Sequence, residues 1–137
     1  MSGPEATLWN QLRSNLPKNC HATRIENKHG GGVPDCHLLW AGLPFWLELK
    51  VMKSNAIKVS PHQIAWHMAY HARGGASFFL VKSLSTRELL LFGGDQGPLL
   101  LEGGASAAQG ERFANPAALF SALRPRLKVI YSAALRP

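Results

Sequence analysis

Two β-rich runs flanking Ala41-Gly42 constrain this chain more than any other feature. Residues 35–40 and 45–51 are dominated by aliphatic and aromatic side chains, and Ala41-Gly42-Leu43-Pro44 between them reads as a turn. A turn centred near Ala41-Gly42 sets residues whose numbers sum to about 83 opposite one another, which pairs Asp35 with Glu48. Directly opposed residues of an antiparallel pair share a face, with Cβ atoms about 5 Å apart. Lys50, two residues after Glu48, points to that same face. The sequence thus predicts two carboxylates and an ammonium in one cluster, provided Pro44 leaves the register of the turn intact. Carboxylates so placed repel unless a cation lies between them. Neutralisation of one of them by Lys50 would make a salt-bridged sheet face. Capture of a hard divalent ion, which prefers oxygen ligands, would make a metal site. Spacing alone leaves both open.

The charge around this cluster narrows the function. Fifteen Lys and Arg against eight Asp and Glu leave a formal charge of +7, the electrostatic footprint expected of a nucleic-acid binder. From Leu49 to Arg87 there are six cationic residues and no acid, and from Arg112 to Pro137 five more, again with no acid. Acidic residues at 35 and 48 therefore interrupt a chain that otherwise attracts anions. A carboxylate-bound divalent ion beside a basic surface points to phosphodiester chemistry, with Lys50 orienting or deprotonating a water or neutralising charge that develops on phosphorus.

Several classes are excluded. At 137 residues and 46% hydrophobic residues the chain has the material for one domain with a true core and is not a disordered segment. No apolar run approaches the roughly 20 residues that span a bilayer, so no membrane partner is expected. Pro4 and Glu5 stand where a signal peptide would have a basic flank, and two cysteines are too few for a disulfide framework, so a cytoplasmic protein is predicted. Cys20-His21, His29 and Cys36-His37 could ligate zinc. However, neighbours on a strand point to opposite faces and no Cys-x-x-Cys pair is present. Cys36 reads as a small core residue, and His37 shares the face of Asp35.

Elsewhere, residues 4–16 carry Leu8, Trp9, Leu12 and Leu16 on one helical stripe. A short strand is expected at 22–26, and Gly30-Gly31-Gly32 reads as a loop whose backbone passes close to something. Ser60-Pro61 with Gln63 predicts a capped helix ending at Gly74-Gly75. Strands are predicted at 76–83 and 87–92. Residues 93–110 read as a loop with one short strand at Pro98–Leu101. A third helix is expected from Asn115-Pro116 to Pro125, and a closing strand at 127–132. On the second helix, Trp66 and Tyr70 at i and i+4 fit core packing or base stacking. His62, His67 and His71 fit surface or DNA-facing roles.

Pro34-Asp35, twelve residues, then Glu48-Leu49-Lys50 resembles the PD-(D/E)XK nuclease signature. With Gly32-Val33-Pro34-Asp35, Ser60-x-x-Gln63-x-x-Trp66, Glu5-x-x-Leu8-Trp9 and Arg24-Ile25-Glu26-Asn27, the chain is similar over about residues 5–82 to the VRR-NUC branch, in particular its small stand-alone phage and bacterial members. The resemblance implies a single α/β domain with a restriction-endonuclease-like mixed central β-sheet flanked by helices. It implies a Mg²⁺ cofactor, replaceable by Mn²⁺, held by Asp35, Glu48, the Leu49 carbonyl and Glu5, with Lys50 as catalytic lysine and Gln63 near the reaction centre. Glu26 and His37 would support the site, and Lys53, Lys58, Arg24 and Lys28 would contact DNA. The implied activity is cleavage of branched DNA, most of all the Holliday junction, by a homodimer. The alternatives are a flap or single-strand nuclease of the same superfamily and a non-catalytic DNA-binding relic of the fold.

Overall fold

The computed structural model describes residues 3–25 and 31–135. Its centre is a six-stranded mixed sheet in the order β1 (Cys20–Arg24), β2 (Cys36–Trp40), β3 (Leu43–Met52), β4 (Ser77–Ser83), β5 (Leu89–Gly93), β6 (Gly110–Phe113). Every neighbouring pair is antiparallel except β3 and β4. Parallel strands need a crossover, and α2 (Pro61–Ala72) provides it. α1 (Pro4–Arg13), α3 (Gly97–Gly103) and α4 (Pro116–Ala134) complete the helices, giving one α/β domain.

The central hairpin has the register anticipated from its turn. Cys36 opposes Leu47 and His37 opposes Trp46, so Pro44 causes no slip. Ala41 and Gly42 take φ of 46° and 87°, the two successive positive values of a type I′ turn, whose twist matches that of the strands it joins.

Alternation along β3 divides the molecule into two cores. Phe45, Leu47 and Leu49 point to the side covered by α1 and α4, where they pack with Leu8, Leu12, Leu119, Leu123 and Leu127. Cys36 lies in this core with no exposure, as its apolar neighbours suggested. Met52 faces the other side and packs with Ile57, Val59, Phe79, Val81, Leu90, Phe92 and Leu100 beneath α2 and α3. Each such fully buried Leu or Phe contributes about 1.5–3 kcal/mol. Among the described residues, no helix is long and apolar enough to cross a membrane.

The C-terminal third departs from the pattern expected of it. Residues 97–103 form α3 rather than a strand: Gly97 and Leu100, three apart, are buried while Pro98, Leu99, Leu101 and Glu102 are exposed, a helical and not an alternating pattern. The sixth strand is Gly110–Phe113, expected to lie in or beside a loop. The predicted closing strand at 127–132 is the second half of α4, which continues through Pro125. Leu119, Leu123 and Leu127 recur every fourth residue and bury one face across the proline. Pro125 and Ser121, whose carbonyl the proline leaves without its usual donor, both lie on the exposed side.

Candidate functional site

The hairpin and the start of α2 bring the predicted residues together. Asp35 immediately precedes β2, and its Oδ2 accepts a hydrogen bond from the Leu49 N–H at 2.8 Å, extending the β2–β3 contact by one side chain. The N–H and C=O of a strand residue point to the same edge, so the Leu49 carbonyl lies on the edge that Asp35 occupies. Glu48 follows on β3, on the α2 side of the sheet opposite Phe79. It is 3% exposed, and its Oε1 has no hydrogen-bond partner among the described residues.

Gln63 holds the other oxygen. Its side chain closes the capping box with Ser60, accepting from the Ser60 N–H at 3.0 Å while the Gln63 N–H donates to Ser60 Oγ at 3.1 Å. Its Nε2 then donates to Glu48 Oε2 at 3.1 Å. One glutamine therefore caps the helix and fixes a carboxylate, because the capping box aims its amide at the sheet. Gly32 makes this approach possible. At φ +85° its Cα lies so close to the first turn of α2 that a Cβ would overlap the His62 carbonyl and sit 2.7 Å from the Gln63 nitrogen. The backbone approach expected of the glycine triplet is thus to α2.

Burial pushes the Glu48 carboxyl well above the ordinary carboxylate range. The neighbouring Asp35 carboxylate and the charge of Glu5 add to the rise, and Lys50 opposes it. Lys50 shares the face of Glu48 and is half-buried, yet forms no ion pair with Asp35 or Glu48. The ion pairs among the described residues are His71–Asp95, Arg112–Glu88 and Arg126–Glu111, all elsewhere. The salt-bridged sheet face, one of the two outcomes open from spacing, is therefore not what forms. A carboxylate pair with an orphaned buried oxygen, disfavoured in its charged form, fits the chemistry of a hard divalent cation.

Other predicted residues fall elsewhere. Glu5, in the first turn of α1, is exposed and bears on the pair through its charge. No group of three or more His, Cys, Asp or Glu side chains placed to hold a metal occurs among the described residues, so any ion at Asp35 and Glu48 would need backbone oxygen or water to complete its shell. Arg24, opposite Cys36, points to the α1 side and lies over the Trp9 ring at 6.0 Å, away from the carboxylates. Lys53 and Lys58 are exposed on the loop after β3. Asn55 pins that loop, donating to the Gly103 carbonyl at 2.9 Å and accepting from the Ser106 N–H at 2.7 Å. Glu26 and Lys28 lie outside the described residues.

Two groups at the site went unrecognised in the sequence. His67 is fully buried, against the surface role open to it. Its Nδ1 is 2.9 Å from Ser77 Oγ, its ring lies 4.2 Å from that of Phe79, and Nε2 has no partner. Trp46 opposes His37 on the carboxylate face. The sum of 83 that pairs Asp35 with Glu48 also pairs 37 with 46, so the same arithmetic would have found it.

The fold and the site thus define a mixed-sheet α/β domain carrying a carboxylate pair of which Glu48 is buried, an adjacent lysine and a glutamine that fixes one carboxylate. No known protein-family model matches the chain, and no curated protein matches it.

Proposed function

We propose that this chain is a Mg²⁺-dependent endodeoxyribonuclease of the PD-(D/E)XK type, with a restriction-endonuclease-like fold, that hydrolyses phosphodiester bonds in branched DNA as a homodimer. The observation that carries the reading is Glu48, 3% exposed with one oxygen unpartnered among the described residues, beside Asp35 and on the face of Lys50, which forms no ion pair among them. Asp35, Glu48 and the Leu49 carbonyl would hold the ion, with Glu5 near enough to act on them by charge. When bound, the ion would polarise a phosphoryl oxygen and lower the pKa of water.

The chain's own groups do the rest. Gln63 fixes the Glu48 carboxylate, and the Leu49 N–H fixes that of Asp35. Lys50 supplies a positive charge on the same face, placed to orient the attacking water or to neutralise negative charge that develops on phosphorus. One domain carries one such cluster, and resolving a four-way junction takes two nicks related by two-fold symmetry, which a C₂ dimer would supply.

The test is cleavage of linear, flap, splayed and four-way DNA in Mg²⁺ and in EDTA. The four-way junction should be nicked only with metal. Asp35→Asn keeps an acceptor for the Leu49 N–H while removing a charged ligand. It should therefore bind DNA in EDTA as the native chain does and lose cleavage by about 10²-fold or more. Near-normal cutting by this variant would overturn the ligand assignment. Binding with no metal-dependent cutting of any substrate would make the chain a non-catalytic DNA binder.

A further inference from the structure

We propose that His37, Trp46, Trp66 and Tyr70 form a stacking platform, beside the carboxylate pair, for bases that a DNA branch leaves unpaired in a single strand, an assignment that rests on the nuclease reading and narrows its substrate. The four rings run in an unbroken series. His37 meets Trp46 edge to face at 4.7 Å between centroids, Trp46 meets Trp66 at 5.3 Å, and Trp66 stacks on Tyr70 at 4.9 Å with 17° between planes. Trp46 precedes Glu48 by two residues on the same face, about 7 Å along the strand. The series therefore begins next to the carboxylates and leads away from them.

These rings meet one another where α2 crosses the sheet and lie outside both hydrophobic cores. Of the four tryptophans, Trp9 and Trp40 pack against the core beneath α1 and α4. Trp46, Trp66 and Tyr70 belong to neither core cluster, nor to the partly buried side chains packed on them, and all three are half-buried. The sheet beside them is open on this face. Leu39, next after His37, is 43% exposed, and His21 and Thr23 on β1 are exposed as well.

An occupant of this strip must be flat, aromatic and negatively charged. Cations lie along the same strand: Lys50 is on the face of Trp46 and Glu48, and Lys53 and Lys58 are exposed on the loop that follows β3, just past the carboxylates. Base–aromatic stacking is tolerant of sequence because every base has a π-face, and it commonly accompanies a basic track for the backbone. A single strand laid from that loop, past the carboxylates and onto the rings would meet both. A fully paired duplex hides its base faces and would gain nothing from the rings.

The experiment compares binding of a twelve-nucleotide oligodeoxythymidylate with that of an abasic strand of equal length and charge, both in EDTA. The native chain should bind the thymidylate about tenfold or more tightly for each stacked base, with quenching of tryptophan fluorescence. Trp46→Leu should abolish most of that preference while leaving affinity for the abasic strand within twofold, and Trp46→Phe should restore much of it. Equal affinity of the native chain for the two strands overturns the platform, and this arm needs no variant to fold. Retention of the full preference by Trp46→Leu and by Trp66→Leu overturns it too. Metal-dependent nicking by a chain that shows no base preference leaves the nuclease reading standing and removes the platform. Base preference without nicking of any substrate does the reverse.

Discussion

His67 has its ring against Phe79, its Nδ1 on Ser77 and its Nε2 without a partner. Desolvation lowers its pKa to about 4, and the charge of Lys50 pushes in the same direction. An exposed histidine in the unfolded chain takes up its proton near pH 6.5, whereas the folded chain resists doing so until about pH 4. Between those values the unfolded state binds more protons, so stability falls as pH falls through the window. From pH 7.5 to pH 5 the loss from this residue should be about 2 kcal/mol. His67→Leu should begin less stable than the native chain at pH 7.5, having lost the Ser77 contact, but should lose correspondingly less on acidification. Urea unfolding of both at the two pH values measures the difference, in which contributions from Glu48 and the other histidines cancel. Equal losses would mean that the buried imidazole is not held neutral.

At the scale of elements, legibility in the sequence followed how local the determining physics was. The β2–β3 hairpin was readable because a two-residue turn with Gly42 fixes register by itself, and α2 because Ser60, Pro61 and Gln63 spell its start within four residues. With the register came Asp35 opposite Glu48. The capping role of Gln63 was readable and its place at the site was implied, but its reach to Glu48 was not, since that depends on how α2 lies on the sheet. The depth at which His67 sits and the aromatic series through Trp66 were hidden for the same reason. α4 is the instructive failure. Proline within a helix costs about 3 kcal/mol through the missing N–H and the clash of its ring, so Pro125 read as a stop. Burial of Leu119, Leu123 and Leu127 on one face outweighs that cost, and the sequence pattern around Pro125 carries no mark of which sheet face awaits those leucines. The penalty is nevertheless still present in the folded chain. Pro125→Ala should therefore raise stability by about 1–3 kcal/mol, read as a higher urea midpoint with an unchanged slope. An unchanged or lower midpoint would show that the ring itself packs productively.

For the whole molecule, a charge of +7 matters less than where it is already engaged. Of the two acid-free cationic stretches, the C-terminal one is largely committed to the fold. Arg124 donates to the Trp40 carbonyl at 2.8 Å, Arg126 pairs with Glu111 and lies over Phe78, and Arg112 pairs with Glu88. The stretch from Leu49 to Arg87 commits less. Lys82 reaches Gln11, and Arg73 caps its own helix through the Ala69 carbonyl, but Lys53 and Lys58 are exposed on a loop that Asn55 ties firmly to α3 and the residues after it. That loop leaves β3 directly after Lys50, Val51 and Met52, so its charges stand beside the end of the strand that carries Glu48. Phosphates bound there would release counterions, and affinity would fall with salt in proportion to the number of contacts. Replacing both lysines by alanine should weaken binding to every DNA structure alike and flatten the plot of log affinity against log salt by about two units of slope, one per lost contact. Arg124→Ala offers the contrast: it should reduce stability and leave the slope unchanged, because its charge is spent on the Trp40 carbonyl and ring. Titrations of a four-way junction in EDTA at several salt concentrations decide the matter. A slope unmoved by the double replacement, or one moved by Arg124→Ala, would shift the DNA path from the α2 side of the sheet to the α4 side.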